Sequence, residues 1–333
     1  MKAVLRGCSL VAAVALLAPG PQAQADEPKP APVWKEVASF GGHKESVDAI
    51  AFSPDAIATS GPEGVVRIWD IPKQKLIRSY NPDKLPIHAL HFSPDGKFVT
   101  SIADGGAISI ILVSAANKEW RGLQASDFRA QGPDHKTWLA PLKNGIQLWE
   151  VDFLDDTKFL PDQLDSGPRA RFKGHKEEIT ALAFALHDDS FASGSKDNTV
   201  IVWDRKKEAA KFTGEGHSDA ITALAFEDSG KYLASASKDG TIRLWDLTEK
   251  KKHQVLKAQE GAVLAVAFSL DGKLLATAGE DKVIRLWDVA TAKTAMTLKG
   301  HTEMIKCLTF SRDGKYLASG SADKTVKLWE VKR

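Results

Sequence analysis

Cysteine pairs, membrane-length apolar runs and a surplus of one charge are all missing from this sequence, and each absence removes a class of protein. Of the two cysteines in 333 residues, Cys8 falls in a leader-like N-terminus, so the body keeps Cys307 alone and no internal disulfide can form there. A small disulfide-stapled fold is excluded, and a core large enough to stand without staples is required. Lys and Arg number 45 against 43 Asp and Glu, a formal charge of +2. Nucleic-acid binding usually demands a concentrated basic face, so no such partner is expected. There is no His-Glu-x-x-His, no zinc-spaced Cys pair, no Cys-x-x-Cys-His, no Gly-x-Ser-x-Gly and no phosphate loop. No cofactor, metal or catalytic residue is therefore expected.

The first 25 residues read differently from the rest. Lys2 and Arg6 give a positive start, Cys8 to Ala18 is almost wholly apolar, and Ala23-Gln24-Ala25 offers small residues before a cleavable bond. This pattern predicts a secretory signal peptide over 1–25, cleaved after Ala25. The apolar run is shorter than the roughly 20 residues needed to cross a bilayer, so removal is expected rather than anchoring. Cys8 precedes that run instead of following it, which argues against a lipidated cysteine. Without Lys2 and Arg6 the mature chain is formally neutral, and a periplasmic or secreted location is expected. Residues 26–33, DEPKPAPV, form a Pro-rich linker. The body, 34–333, is expected to be one domain.

What the body has in abundance is repetition. GKYLASASKDGTIRLWD at 230–246 returns as GKYLASGSADKTVKLWE at 314–330. Trp203, Trp245, Trp287 and Trp329 stand 42 residues apart, and Trp69 and Trp149 belong to the same series. The 80 residues between those two admit one more unit, with Ile111 in the place of the tryptophan, making seven. Within each unit, short runs such as ITALAF, YLASAS and TIRLWDL are separated by turn clusters, as strands are. Four strands at this period predict an all-β, seven-bladed propeller of four-stranded antiparallel blades. Residues 34–40, WKEVASF, match the strand that elsewhere precedes Gly-His, and the chain stops just after a Trp-Glu strand. The N-terminal strand is therefore expected to complete the last blade.

Gly42-His43 to Trp69-Asp70, Gly174-His175 to Trp203-Asp204, Gly216-His217 to Trp245-Asp246 and Gly300-His301 to Trp329-Glu330 carry a family likeness. With the turn Asp recurring at fixed offsets, the chain resembles the WD-repeat (WD40) family, over about residues 34–333. The second and third units are degenerate: one lacks both Gly-His and Trp-Asp, and the other has GPDHKTWLAPLKNG where middle strands belong.

Histidine, serine and aspartate recur within units, as they do in hydrolytic triads. The set appears three times, and a catalytic site is rarely built three times. The resemblance implies a structural hydrogen-bonded chain in each case: His175, Ser193, Asp197 and Trp203; His217, Ser235, Asp239 and Trp245; His301, Ser319, Asp323 and Trp329. Blade six has Gln259 for His, with Thr277, Asp281 and Trp287; blade one has His43, Thr59 and Trp69 with Glu63 for Asp. Those two networks stay open, and none is expected in blades two and three.

The same resemblance implies that the face bearing Gly-His is the interaction surface. Matched positions give Asp48, His88, Glu178, Lys196, Lys238, Leu264, Glu280, Met304 and Lys306 as partner-binding candidates, with Ser46, Thr180, Ala220 and Thr222 in the same ring. Mixed charge with apolar anchors suits protein or peptide contact. Three further expectations follow. The 12-residue excess between Trp149 and Trp203, at 151–168, is an irregular strand covering blade three rather than a docking insertion. Arg205-Lys206-Lys207 and Lys250-Lys251-Lys252 occupy equivalent turns on the opposite face, either a basic patch for an acidic surface or lipid headgroups or, as charge runs on turns usually are, plain soluble surface. Cys307, in IKCLTF, is a buried thiol. The whole predicts a non-enzymatic, exported protein-interaction scaffold, a monomeric propeller within a complex. The alternative is a propeller enzyme or small-ligand binder using the central channel, for which Asp48, His88 and Glu178 are the candidates.

Overall fold

The computed structural model describes residues 33–332, apart from 82–83, 94, 105–106, 114–118, 125–129, 133–136, 151–152, 155–157, 160–166, 250–252 and 258–259. The expected signal peptide and all but Val33 of the linker lie outside the described residues. Within them the chain forms strands and turns and no helix. Blade four gives the unit: Ile179–Phe184 innermost, then Ser190–Ser195, Val200–Asp204 and Ala209–Gly214 outermost, each antiparallel to the next. Seven such four-stranded sheets are present. The innermost strands of blades four, five, six, seven, one and two lie side by side in that order, and Ala130–Gln131 of blade three adjoins blade four. The result is a propeller.

Small residues in the second strands let the blades stack. Ala192, Ala234, Ala276 and Ala318 are fully buried there. Gly194 lies so close to blade five that a Cβ would stand 2.3 Å from Ile221 Cγ2; at Gly320 it would stand 2.8 Å from Val47 Cγ1 of blade one. The repeated Ala-Ser-x-Ser text is thus a packing requirement, since a methyl in so dense an interface must displace its neighbours. Cys307 also meets Gly320, and its Sγ donates to the Val47 carbonyl at 3.4 Å. Burial pushes this thiol well above the usual cysteine range.

Blades two and three are better formed than their text suggests. In blade two, Ile111 takes the tryptophan's register position and is fully buried. In blade three, Thr137–Leu142 and Gly145–Glu150 make a regular hairpin, and Trp138, Leu139, Ile146 and Phe172 are buried. The GPDHKTWLAPLKNG text, unlike its sisters' middle strands, thus still supplies a buried apolar hairpin. The expected cover at 151–168 lies largely outside the described residues. Blade three's outermost strand is Ala170–Lys173, while Phe153–Leu154 pairs with Lys158–Phe159 in a separate two-stranded ladder.

The N-terminal strand Val33–Phe40 pairs with Val326–Lys332, from Val33 opposite Lys332 to Phe40 opposite Val326. It closes the ring. Trp34 and Phe40 are 7% and 3% exposed, and Lys327 Nζ donates to Glu36 Oε1 at 2.8 Å. Burying one such large side chain is worth about 1.5–3 kcal/mol, against about 5–15 kcal/mol for a whole domain. Deleting residues 34–40 should therefore lower the melting temperature and open the ring to protease. A deletion protein that melts and resists digestion like the full chain would show that closure contributes nothing.

Candidate functional site

Two kinds of connection meet at one end of blades one, four, five and seven: the turn between second and third strands, and the Gly-His loop entering from the preceding blade. In blade four, Trp203 Nε1 donates to Ser193 Oγ at 2.8 Å, Ser193 Oγ lies 2.8 Å from His175 Nε2, and His175 Nδ1 lies 3.0 Å from Asp197. Blade five repeats this through Trp245, Ser235, His217 and Asp239 at 2.9, 2.8 and 2.9 Å. Blade seven repeats it through Trp329, Ser319, His301 and Asp323 at 3.0, 2.8 and 2.7 Å. Blade one completes the chain despite Glu63: Trp69, Thr59, His43 and Glu63 are linked at 2.9, 2.9 and 2.6 Å. In blade six Trp287 donates to Thr277 at 2.9 Å, while Gln259 lies outside the described residues.

Donor arithmetic orients the whole relay. An ionised carboxylate can only accept, so the Nδ1–H donates to it, and in a neutral imidazole Nε2 is then bare. The hydroxyl accepts from the indole N–H and donates its own proton to that Nε2. Burial holds His43, His175 and His301 below the usual histidine range; Arg67 adds to this at His43, while Glu63, Asp197 and Asp323 pull the other way. Burial alone would raise Asp197 and Asp239, but hydrogen bonds from Thr199 and the Lys176 N–H, and from Thr241, the Ser218 N–H and His217, bring them to about 2. The hydroxyl-bearing residues Thr59, Ser193, Ser235, Thr277 and Ser319 are fully buried. An attacking serine needs a substrate at its oxygen, and these oxygens are sealed.

Sequence reasoning missed the groups that brace the acid. Thr199, Thr241 and Thr325, each two residues after its aspartate, donate to it at 2.6, 2.7 and 2.6 Å. Blades one and six carry Val65 and Val283 there, and the arginine four residues after the acid takes over: Arg67 reaches Glu63, and Arg285 reaches Asp281. The contrast was legible as Asp-x-Thr against Glu-Gly-Val and Asp-Lys-Val.

The partner candidates sit on a second repeated feature. The pairing of innermost and second strands is interrupted at His88, Thr180, Thr222, Leu264 and Lys306, one residue into each innermost strand. Such bulges re-aim a side chain away from the ladder. Asp48 holds the matching place in blade one. Lys306 Nζ lies 3.1 Å from Asp48 Oδ1 and donates to Ser46 Oγ at 3.0 Å, joining blades seven and one. His88 Nδ1 stands 3.5 Å from Asp104. Thr180 donates to the Ile221 carbonyl at 2.5 Å, and Thr222 to the Val263 carbonyl. Leu264 and Met304 are half-buried, and Lys238 and Glu280 are exposed. Glu280 accepts from the Ala262 N–H at 2.9 Å, and exposed Lys196 pairs with Glu178. Asp48, His88 and Glu178 thus bind three different neighbours. Among the described residues no group of His, Cys, Asp or Glu is placed to hold a metal.

Arg205 and Lys206 pair with Asp189, and Lys207 lies 3.5 Å from Asp204, three cations to two acids of their own blade. Lys250, Lys251 and Lys252 lie outside the described residues.

A family model described as WD domain, G-beta repeat matches residues 34–70, 166–204, 209–246, 250–288 and 292–330. No matched segment covers blade two, and of blade three only the outermost strand, Ala170–Lys173, is matched. Similar curated proteins include the WD repeat-containing protein AAC3 of Dictyostelium discoideum, 28% identical over 175 residues, covering 51% of this chain and 35% of that protein. The eukaryotic translation initiation factor 3 subunit I of Lodderomyces elongisporus is 23% identical over 193 residues, covering 51% and 53%. The small ribosomal subunit protein RACK1z of Arabidopsis thaliana is 33% identical over 175 residues, covering 50% and 41%. The matches thus span about a third to a half of these relatives' length.

Two tests follow from the relay geometry. Ser235→Ala strands the Trp245 N–H and His217 Nε2, and should cost about 1–3 kcal/mol in denaturant unfolding; an unchanged midpoint would contradict the relay. Histidines lowered by folding leave stability intact above about 6.5, their ordinary value, and lost as pH falls through the lowered folded values. The aspartates act later, between 3.8 and about 2. Melting temperature should therefore drop already between about pH 7 and about pH 5. A flat profile over that span would contradict neutral buried imidazoles.

Proposed function

The chain belongs to the WD40 family of WD domain, G-beta repeat proteins, and from that premise we propose that it is a non-enzymatic scaffold that works outside the cytoplasm and holds partner proteins on its Gly-His face. One observation carries the reading. Relay positions repeat the same chemistry in blades one, four, five and seven, whereas the bulge positions beside them, apart from the two threonines Thr180 and Thr222, differ in charge and polarity: Asp48, His88, Leu264 and Lys306. A uniform frame with individual residues at one repeated, accessible position is how a repeat fold writes a specific surface.

Leu264 and Met304 supply apolar anchors, and Lys238, Glu280 and the Lys196–Glu178 pair supply a polar rim. That division matches interfaces in which a few central side chains carry most of the energy. The names of two relatives, a translation initiation factor subunit and a small ribosomal subunit protein, place those proteins in assemblies, which supports a role within a complex here. Export rests on the leader pattern of 1–25, and the single propeller is taken as the unit that joins the complex. Non-enzymatic action is supported by the sealed relay hydroxyls and by the separate engagements of Asp48, His88 and Glu178.

The test is crosslinking of the tagged mature protein in its native envelope fraction, beside a Leu264→Asp, Met304→Asp variant. A discrete partner that the variant loses while melting normally supports the proposal; a partner retained by the variant places binding elsewhere. Intact mass of the exported protein checks the leader, with Asp26 expected as the first residue.

A further inference from the structure

Val33–Phe40 is the one outermost strand among the described blades that does not follow its blade's third strand along the chain. Hydrogen bonds and side-chain packing alone hold it. Two histidine relays bracket it. On its flank, Glu36 stands in register opposite Trp329, the head of the relay through Ser319 to His301 and Asp323. Gly300 precedes His301 in a space so tight that a Cβ would lie 2.9 Å from Glu36 Oε2 and 3.2 Å from the Trp329 ring. Glu36 also takes the Lys327 ammonium at 2.8 Å. At its end, Phe40 packs on Trp69, the head of the blade-one relay, with ring centroids 5.1 Å apart. The chain then runs through Gly42, whose carbonyl accepts from Arg67 at 2.8 Å, into His43. A cavity of about 440 Å³ runs along the same seam, lined by Lys35, Glu36, Val37 and Tyr316 and by Gln74 of blade one.

We propose that this N-terminal strand is an acid-released latch, freed when His301 and His43 take up protons while the outer strands tied by turns stay paired. A proton on Nε2 removes the acceptor for the Ser319 or Thr59 hydroxyl and loosens the hydroxyl that holds the indole. It also sets a cation beside Lys327 in blade seven and beside Arg67 in blade one. The groups facing His301 are Asp323, Lys327 and Glu36, with the Lys282–Glu303 pair, 3.8 Å apart, on the neighbouring loops; those facing His43 are Glu63 and Arg67. The carboxylates stabilise the new charge, but Asp323 and Glu63 already accept the Nδ1 proton and gain no further hydrogen bond, while Lys327 and Arg67 repel it. Burial disfavours the cation further. In blade four the same loss would leave Ala209–Gly214 tethered through the turn after Asp204, so release is confined to the seam. A freed strand uncovers the Val326–Lys332 edge, a ready template for another strand.

The test is hydrogen–deuterium exchange of the full chain at about pH 7.5 and about pH 5.5, corrected for intrinsic rates, comparing residues 33–40 with Ala209–Gly214, the turn-tethered outermost strand of blade four, whose relay keeps His175. A His43→Gln, His301→Gln protein is run beside it, since glutamine stands at this position naturally in blade six, as Gln259. Protection at 33–40 should fall at least about tenfold more than at Ala209–Gly214, and the variant should lose this difference. Should the double variant melt low at pH 7.5, His301→Gln alone decides the question by halving or sparing the difference. Equal loss in both strands, no loss, or a loss undiminished in the variant would overturn the latch.

Discussion

The indole N–H groups of Trp69, Trp203, Trp245, Trp287 and Trp329 each find a buried hydroxyl as acceptor, and that bond organises each blade in which the relay forms. Left unsatisfied, such a donor costs about 1–3 kcal/mol, a large share of a domain's net stability. Its acceptor is a hydroxyl on the adjacent strand, which then needs an acceptor of its own, and a bare histidine nitrogen supplies it. The histidine's remaining proton needs a carboxylate, and the carboxylate needs a turn that holds it. Following these demands outward leads from a core indole to the surface loops. The conformations of the Gly-His loop and of the Asp turn are thereby fixed together.

That chain explains how the buried frame serves the surface. The Asp turns and the Gly-His loops flank the bulged innermost strands, so an ordered relay presents Asp48, His88, Thr180, Thr222, Leu264 and Lys306 at defined places. Chemistry at those places can vary freely because nothing in the relay depends on it. The same network also sets where the molecule is weakest. Covalent turns back up the relays of blades four and five, whereas at the seam of blades seven and one the relays and the Glu36–Lys327 pair act without one.

The periodic tryptophans, the Gly-His pairs and the strand-length apolar runs made the propeller legible in the sequence, because buried positions repeat under the same physical demand. Legibility failed where one residue substitutes for another in the same role. Glu63 reaches His43 as well as an aspartate would, since Arg67 braces it in place of a turn threonine. Blade three looked empty because its second strand is bulky, Trp138 and Leu139, where its sisters are small.

The central claim is that the relay histidines are neutral, with Nδ1 protonated and Nε2 accepting. Nitrogen NMR of imidazole-labelled protein near pH 7 reads both properties directly. The account predicts that His43, His175 and His301 give one protonated Nδ1 and one bare Nε2 each. A proton on Nε2, or a cationic ring, would contradict it.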